Sequence, residues 1–371
     1  MTKVLFVGPY RQSDGWGNAA NEYAKAISKS CELAIRPIYM GSSFCELHED
    51  LLEYEFNDFR EYDVVIQNCL PHLAQYQAGM KNILLCHLET YDLQNTSWVG
   101  HAKLMDEVWV PSAANKMALT GSGVHPDKVK VVPIPCDIDK YHHNYGRLNI
   151  PHTSADDFKF YFIGEFVQRK NLVALISAFH AEFEPYENAK LVIKANKSGV
   201  SPVQLSSEIN AKITSIKSRL RMFPSLDQYK KDIVITDMLP EDHLMALHDS
   251  CDCFVMPSHG ESWSMPTFDA MAMGNPCIVP NYTGMTQYVN EDNGWVVDTT
   301  LQPCMTKEAP LPDIYTGRER WQHLDIGQLM TCMRQAYEDK EIYQKKSDSC
   351  LKEFKKYSYE EVGKLIKELL A

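Results

Sequence analysis

Pro257-Ser-His-Gly-Glu-Ser-Trp-Ser-Met-Pro-Thr-Phe-Asp-Ala-Met-Ala-Met-Gly-Asn-Pro276 decides how the rest of the chain is read. One apolar run, Cys253 to Met256, leads into it and another, Cys277 to Pro280, leads out. Strand, acidic loop, proline-started helix, glycine stop and strand is the order this spacing predicts. Glu261 then stands at the carboxyl end of a strand, and Asp269 in the first turns of the following helix. In open parallel sheets that end of the strands lines the ligand crevice. Two carboxylates reaching into it accept hydrogen bonds from vicinal hydroxyls, which sugars and riboses both carry. An isolated pair of this kind is more often a helix cap and a solvated residue. Here Ser258, His259, Gly260, Ser262 and Ser264 make the loop small and polar, and Pro266 near the helix start leaves the preceding amides free for a ligand.

Outward from this stretch, short apolar runs alternate with amphipathic segments. Strands are expected at Val4–Val7, Leu33–Tyr39, Val64–Gln67, Ile83–His87, Glu107–Val110 and Val129–Ile134, then at Phe158–Ile163, Lys190–Ala195, Ile233–Thr236, Cys253–Met256, Cys277–Val279 and Trp295–Val297. Helices are expected at 19–28, 172–183, 203–223, 241–249, 266–273 and 285–289. Such alternation predicts α/β architecture with parallel sheets covered on both faces. At 371 residues, two such units in tandem is the natural count. The turn-rich stretch 136–157 separates them, giving one domain over 1–140 and another over 155–355. The amphipathic helix Tyr359–Leu370 lies within a closing segment, 356–371. The stretch 300–319, with Pro303, Pro310 and Pro312, reads as a surface loop.

A composition of 44% hydrophobic and 23% charged residues is that of a globular chain. The formal net charge of −12 argues against a nucleic-acid partner, which needs a basic face. The N-terminus enters a strand without a signal-like apolar core, and no apolar run has membrane-spanning length. The 11 cysteines are scattered through apolar runs, as at Cys69, Cys86 and Cys277, and read as reduced core residues of a cytoplasmic protein. A peripheral membrane contact stays open, and the sequence does not fix the oligomeric state.

Further segments carry candidate chemistry. Gly164-Glu-Phe-Val-Gln-Arg-Lys-Asn171 joins a strand to a helix, with Asn171 as the expected N-cap. Arg169 and Lys170 beside a helix N-terminus add positive charge to an already positive end, a conflict that an intervening diphosphate resolves. Gly15-Trp-Gly-Asn18 follows the first strand, and its glycines allow close backbone approach to a phosphate or sugar. His87, at the end of an apolar strand, is expected to point into the same crevice as Glu261. His72 is a poorer candidate, and His142 and His143 read as surface. Asp137-Ile-Asp139 matches a metal-binding Asp-x-Asp pattern, but it opens the linker and reads as a chain-reversing turn. His243 and His248 are five apart, off the one-face spacing of a zinc helix. No metal is expected.

These pieces together resemble the retaining nucleotide-sugar glycosyltransferases of family 4, whose signature is Glu-x7-Glu within Pro-Ser…Glu-Gly-Phe-Gly-x-Pro…Glu-Ala-Met-Ala-x-Gly. Here it reads Pro257-Ser258…Glu261-Ser-Trp-Ser-Met-Pro266…Asp269-Ala-Met-Ala-Met-Gly274. The likeness is clear from Lys128 to Val297 and loose before that. It implies a GT-B fold: two Rossmann-like doubly wound domains, an interdomain cleft, and a C-terminal helix crossing back onto the first domain. The first domain would be the acceptor side and the second the donor side. By the same resemblance Glu261 contacts sugar hydroxyls, Asp269 the ribose, and Lys170 with Arg169 the diphosphate. His87 lies near the transferred sugar. Gly15, Gly17, Gly164, Ser262, Trp263, Ser264, Met265, Thr283 and Gly284 border the donor. The implied reaction is metal-independent transfer, with retention, of a hexose-type sugar from a GDP- or UDP-sugar to a glycan or other hydroxyl acceptor. No cofactor is implied.

Three residues depart from the pattern. Asp269 is one methylene shorter than glutamate, Glu165 stands where many members carry a phosphate-binding arginine, and Ser264 replaces a glycine. A nucleotide-sugar epimerase of the same architecture and a non-catalytic nucleotide-sugar-binding protein are the alternatives. The first would isomerise its donor without an acceptor, and the second would leave every donor intact.

Overall fold

The computed structural model describes residues 1–41, 44–306 and 314–371. Among these residues the first half forms strands β1 Lys3–Gly8, β2 Glu32–Pro37, β3 Val64–Asn68, β4 Lys81–Leu85, β5 Glu107–Val110 and β6 Val129–Val131. Between them lie helices α1 Gly15–Ser28, α2 Leu52–Phe56, α3 Ser97–Leu104 and α4 Ala113–Gly121. The strands form one parallel sheet in the order β2-β1-β3-β4-β5-β6. The second half forms β7 Phe158–Glu165, β8 Ala189–Asn196, β9 Ile233–Ile235, β10 Cys253–Val255, β11 Cys277–Pro280 and β12 Gly294–Val297. Its helices are α5 Leu172–Glu182, α6 Pro202–Leu220, α7 Glu241–Ser250 and α8 Met265–Ala272. This sheet is also parallel, in the order β12-β11-β10-β7-β8-β9.

The strands are near-continuous apolar runs because both faces are covered. Every residue of β3 and β11 is buried, as are Phe160, Tyr161 and Phe162 at the centre of β7. Strand order reverses between β1 and β3 in the first sheet and between β7 and β10 in the second. Ligand crevices open at such reversals, beyond the strands' carboxyl ends.

The remaining strands correct one expectation. The stretch 300–319 is not simply a surface loop: β13 Thr299–Pro303 and β14 Arg320–Leu324 pair as an antiparallel hairpin. Cys304, Ile314 and Glu319 are buried, while Pro310 and Pro312 lie outside the described residues. The hairpin reaches the other domain, where Tyr91 and Arg320 exchange backbone hydrogen bonds of 2.7 and 3.0 Å. Helices α9 Ile326–Glu338, α10 Lys340–Glu353 and α11 Tyr359–Leu370 close the chain. α11 returns to the first domain: Val362, Gly363 and Ile366 are buried, Ser30 Oγ donates to Gly363 O at 2.9 Å, and the Tyr359 hydroxyl donates to Glu22 at 2.6 Å.

All 11 cysteines are free thiols, and ten of them are buried. Among the described residues no helix is long and apolar enough to cross a membrane.

Candidate active site

The loops after β7 and β10 meet at the reversal of the second sheet. Beyond β7 the chain makes a short 3-10 turn, Gln168–Lys170, whose last residues are the two cations. Asn171 follows at φ 53°, in the left-handed region. It occupies the position before α5 but does not cap it, because its side chain makes no cap hydrogen bond and instead donates to Pro257 O at 3.1 Å. The expected N-cap therefore serves as a tie between the two loops. Two more bonds reinforce it: His259 N donates to Arg169 O at 2.8 Å, and Ser258 Oγ donates to the same oxygen at 3.1 Å.

Glu261 is the centre of this junction. Its Oε1 is 2.7 Å from Arg169 Nη1 and 2.8 Å from Lys170 Nζ, and its side chain is 5% exposed. Burial alone would push the carboxyl up, but Lys170 and Arg169 outweigh it and hold Glu261 below the usual carboxylate range. Burial likewise opposes the Arg169 charge, and Glu89 with Glu261 overrides it, so the guanidinium is held more firmly protonated than usual. From the sequence alone, the two cations call for an external anion between them. The fold answers the same conflict with its own carboxylates. Glu165, the residue in the usual arginine position, accepts from Ser198 N at 3.4 Å instead.

The first domain supplies the opposite wall. His87 lies two residues beyond β4, with Nδ1 3.3 Å from Ser262 Oγ and its ring 4.5 Å from that of Trp16. Ser262 Oγ also donates to Asn115 Oδ1 at 2.8 Å, and Asn115 is fixed in turn by both backbone groups of Leu88. His87 is thus joined to Ser262, the residue that follows Glu261. Burial lowers the His87 pKa to about 4, so the ring is neutral near pH 7 and serves as a hydrogen-bonding group rather than a cation.

The glycines differ in what they explain. A Cβ on Gly17 would stand 1.9 Å from Gln12 O, so the chain's own turn requires glycine there, and the Gly17 amide is already bound to Asp14. Gly15 is exposed at the start of α1, in open space. Gly164 abuts the Phe162 ring. A Cβ on Gly284 would fall 1.8 Å from Ser262 O, and its amide donates to Glu261 O at 2.7 Å. Thr283 Oγ1 donates to Pro280 O at 3.0 Å.

On α8 the side chains diverge. Met265 and Asp269 line an interdomain cleft of about 610 Å³. Trp263 turns away from it: 2% exposed, it packs against Phe268, Tyr288 and Tyr357, so its side chain is a core residue. Ser264 sits at φ 71°, a conformation costing a non-glycine residue about 1–2 kcal/mol, and its hydroxyl is 2.8 Å from Thr267 Oγ1. Asp269 is already engaged by the linker: Tyr141 donates to its Oδ1 at 2.7 Å and Lys140 Nζ lies 3.3 Å away. Lys140 also pairs with Glu241 at 2.9 Å, and these two carboxylates outweigh burial to hold its pKa above the usual lysine value. Asp137 Oδ1 accepts from the Asp139 amide at 3.0 Å, which is the chain-reversing turn read from the sequence. His142 and His143 are exposed.

Sequence reasoning missed Lys140, Tyr141, Asn115, Glu89 and Tyr315. Only Glu89 carried a local signal, an acidic residue two places after His87.

Three histidines give the protein a pH signature. Burial lowers His87, His248 and His259 to about 4 each. His248 Nδ1 bonds the Tyr161 hydroxyl at 2.8 Å, and His259 Nδ1 bonds Gln322 O at 2.8 Å. The unfolded chain protonates such groups near pH 6.5, whereas the fold resists until about 4. Stability is therefore lost as pH falls between those values, by up to about 1.4 kcal/mol per pH unit for each group. Urea midpoints measured at pH 7 and 5 should fall clearly; equal midpoints would contradict the burial of these rings.

Residues 149–309 match the family model for glycosyl transferases group 1. The serotype-specific mannosyltransferase WbdA of Escherichia coli is 28% identical over 127 residues, 34% of this chain and 14% of that protein. The D-inositol 3-phosphate glycosyltransferase of Corynebacterium glutamicum is 26% identical over 185 residues, 47% of this chain and 40% of that one. The chain thus spans well under half the length of these relatives. Anabaena Alr3699/HepE in complex with UDP-glucose superposes with a TM-score of 0.66 at 14% identity, over 100% of this chain and 99% of that one. Sucrose-phosphate synthase from Thermosynechococcus elongatus does so with a TM-score of 0.65 at 12% identity, over 100% and 98%. The fold is GT-B.

Proposed function

We propose that this chain is a glycosyltransferase that moves a hexose-type sugar from a nucleoside-diphosphate sugar to a hydroxyl acceptor, with retention and without a metal. The observation that carries it is the buried Glu261–Arg169–Lys170 junction at the β7/β10 reversal, next to Ser262, which His87 of the first domain contacts. Its position and residue types fit a donor whose diphosphate lies at the two cations and whose sugar reaches Glu261. The match to group 1 glycosyl transferases, and the UDP-glucose complex of a protein with the same fold, support the same reading.

As the anomeric bond to the diphosphate breaks, negative charge grows on the leaving oxygen. Lys170, Arg169 and the first-turn amides of α8, which lack helical partners, are the groups that stabilise it. Glu261 exchanges a cation partner for a sugar hydroxyl, and neutral His87, whose ring nitrogens lie 3.3 Å from Ser262 Oγ and Asn68 Nδ2, meets the sugar by exchanging one of these partners. The acceptor hydroxyl attacks from the side the diphosphate leaves, and its proton passes to the departing phosphate oxygen. Asp269, one methylene short and held by Tyr141 and Lys140, meets a ribose only by giving up one of those bonds or through them.

A mass-spectrometric screen of UDP-, GDP-, ADP- and dTDP-sugars, with EDTA and a mixture of hydroxyl acceptors, tests this reading. One donor should yield a nucleoside diphosphate and a glycosylated product whose anomeric configuration, read by NMR, matches the donor's. An isomerised donor would make the protein an epimerase, and every donor intact would make it a binding protein. Loss of transfer in EDTA, restored by a divalent ion, would overturn the metal-free part alone.

A further inference from the structure

We propose that Glu89 governs donor entry: its carboxylate holds the Arg169 guanidinium where a donor phosphate would bind, and the donor must displace it. The inference rests on the donor reading above and concerns a residue outside every motif of the chain. Glu89 Oε1 lies 2.9 Å from Arg169 Nη2, while Nη1 of the same guanidinium is bound to Glu261 at 2.7 Å and to Gly260 O at 2.6 Å. Two carboxylates from opposite walls of the cleft therefore occupy the fork that suits two oxygens of one phosphate.

Glu89 is fixed in this role. The Tyr315 hydroxyl donates to its other oxygen at 2.8 Å, and Tyr91, two residues on, is bridged to Arg320 of the hairpin. Tyr315 is contributed by the second domain and Glu89 by the first, so the arrangement spans the cleft. The charges balance as they stand: Arg169 and Lys170 against Glu89 and Glu261. A diphosphate arriving with Glu89 in place would leave a largely buried cluster with excess negative charge. Expelling Glu89 removes one unit of that excess and breaks a contact between the domains. Donor binding is thereby coupled to movement of the loop that carries His87, and free Arg169 does not hold phosphate from unrelated anions.

Calorimetry of the full chain with UDP, GDP and inorganic pyrophosphate, with small-angle scattering of the free proteins, tests this. Glu89→Gln should bind the preferred ligand about tenfold tighter or better, and its free form should be more open. Tyr315→Phe, which loosens Glu89 without leaving Arg169 unpaired, should shift affinity the same way by less. A purely structural Glu89 predicts equal or weaker binding, and that result would overturn the proposal. Should pyrophosphate tighten while neither nucleotide binds better than pyrophosphate, the Glu89 exchange stands and the donor reading falls. No binding of any of the three to either protein overturns both.

Discussion

Replacing Lys170 with alanine should cut turnover at saturating donor by about a hundredfold or more. Preorganised donors that meet charge as it develops are worth roughly 3–4 kcal/mol each in transition-state terms. Lys170 is the part of the cluster least committed elsewhere: its ammonium meets Glu261 at 2.8 Å, whereas Arg169 also serves Glu89 and Gly260. Removing it leaves Glu261 paired with Arg169, so the variant should fold. Lys170→Arg, which keeps the charge in a differently shaped head, should recover part of the rate. Steady-state kinetics with a thermal melt on each variant check this. Wild-type turnover in a folded Lys170→Ala protein would remove the diphosphate role from this residue.

The second large effect belongs to a residue with no side chain. Gly260 faces the backbone of Glu89 so closely that an added Cβ would lie 1.8 Å from its carbonyl oxygen. Relief requires the two walls to part by more than 1 Å, and misplacements of that size cost about a hundredfold in rate. Gly260→Ala should therefore lose kcat/KM by about that factor or more. Its melting temperature should change little, because the clash lies at a contact between two loops rather than inside either sheet. Scattering should show a wider molecule. Normal activity would mean that the cleft works at a separation larger than the one seen.

The strands of the second sheet were legible because parallel strands covered on both faces must be apolar throughout. The order Cys253–Val255, acidic loop, proline-started α8 and Cys277–Pro280 follows from residues adjacent in sequence. Glu261, Arg169 and Lys170, expected near one another at strand ends, do meet as ion pairs. What escaped is pairing across long separations. The hairpin strand Thr299–Pro303 is largely exposed and carries no alternation, so 300–319 reads as loop. Its bridge to Tyr91 and the Tyr315–Glu89 bond have no local trace. Helices α3 and α4 bury only a few small or scattered apolar residues, and periodicity does not separate them from loop. Asn171 departs from the expected cap because its side chain bonds Pro257 O rather than its own helix.

The return of α11 to α1 bears on how the protein is made. Gly363 lies so near Ala26 that a Cβ there would sit 3.1 Å from its carbonyl oxygen, and Ile366 is fully buried. These contacts join residues made far apart in the order of synthesis. At translation speeds of about 5–20 residues per second, the ribosome needs on the order of 10–50 seconds after the first sheet emerges before α11 exists. Throughout that interval the nascent first domain shows the apolar surface of α1 that α11 later covers.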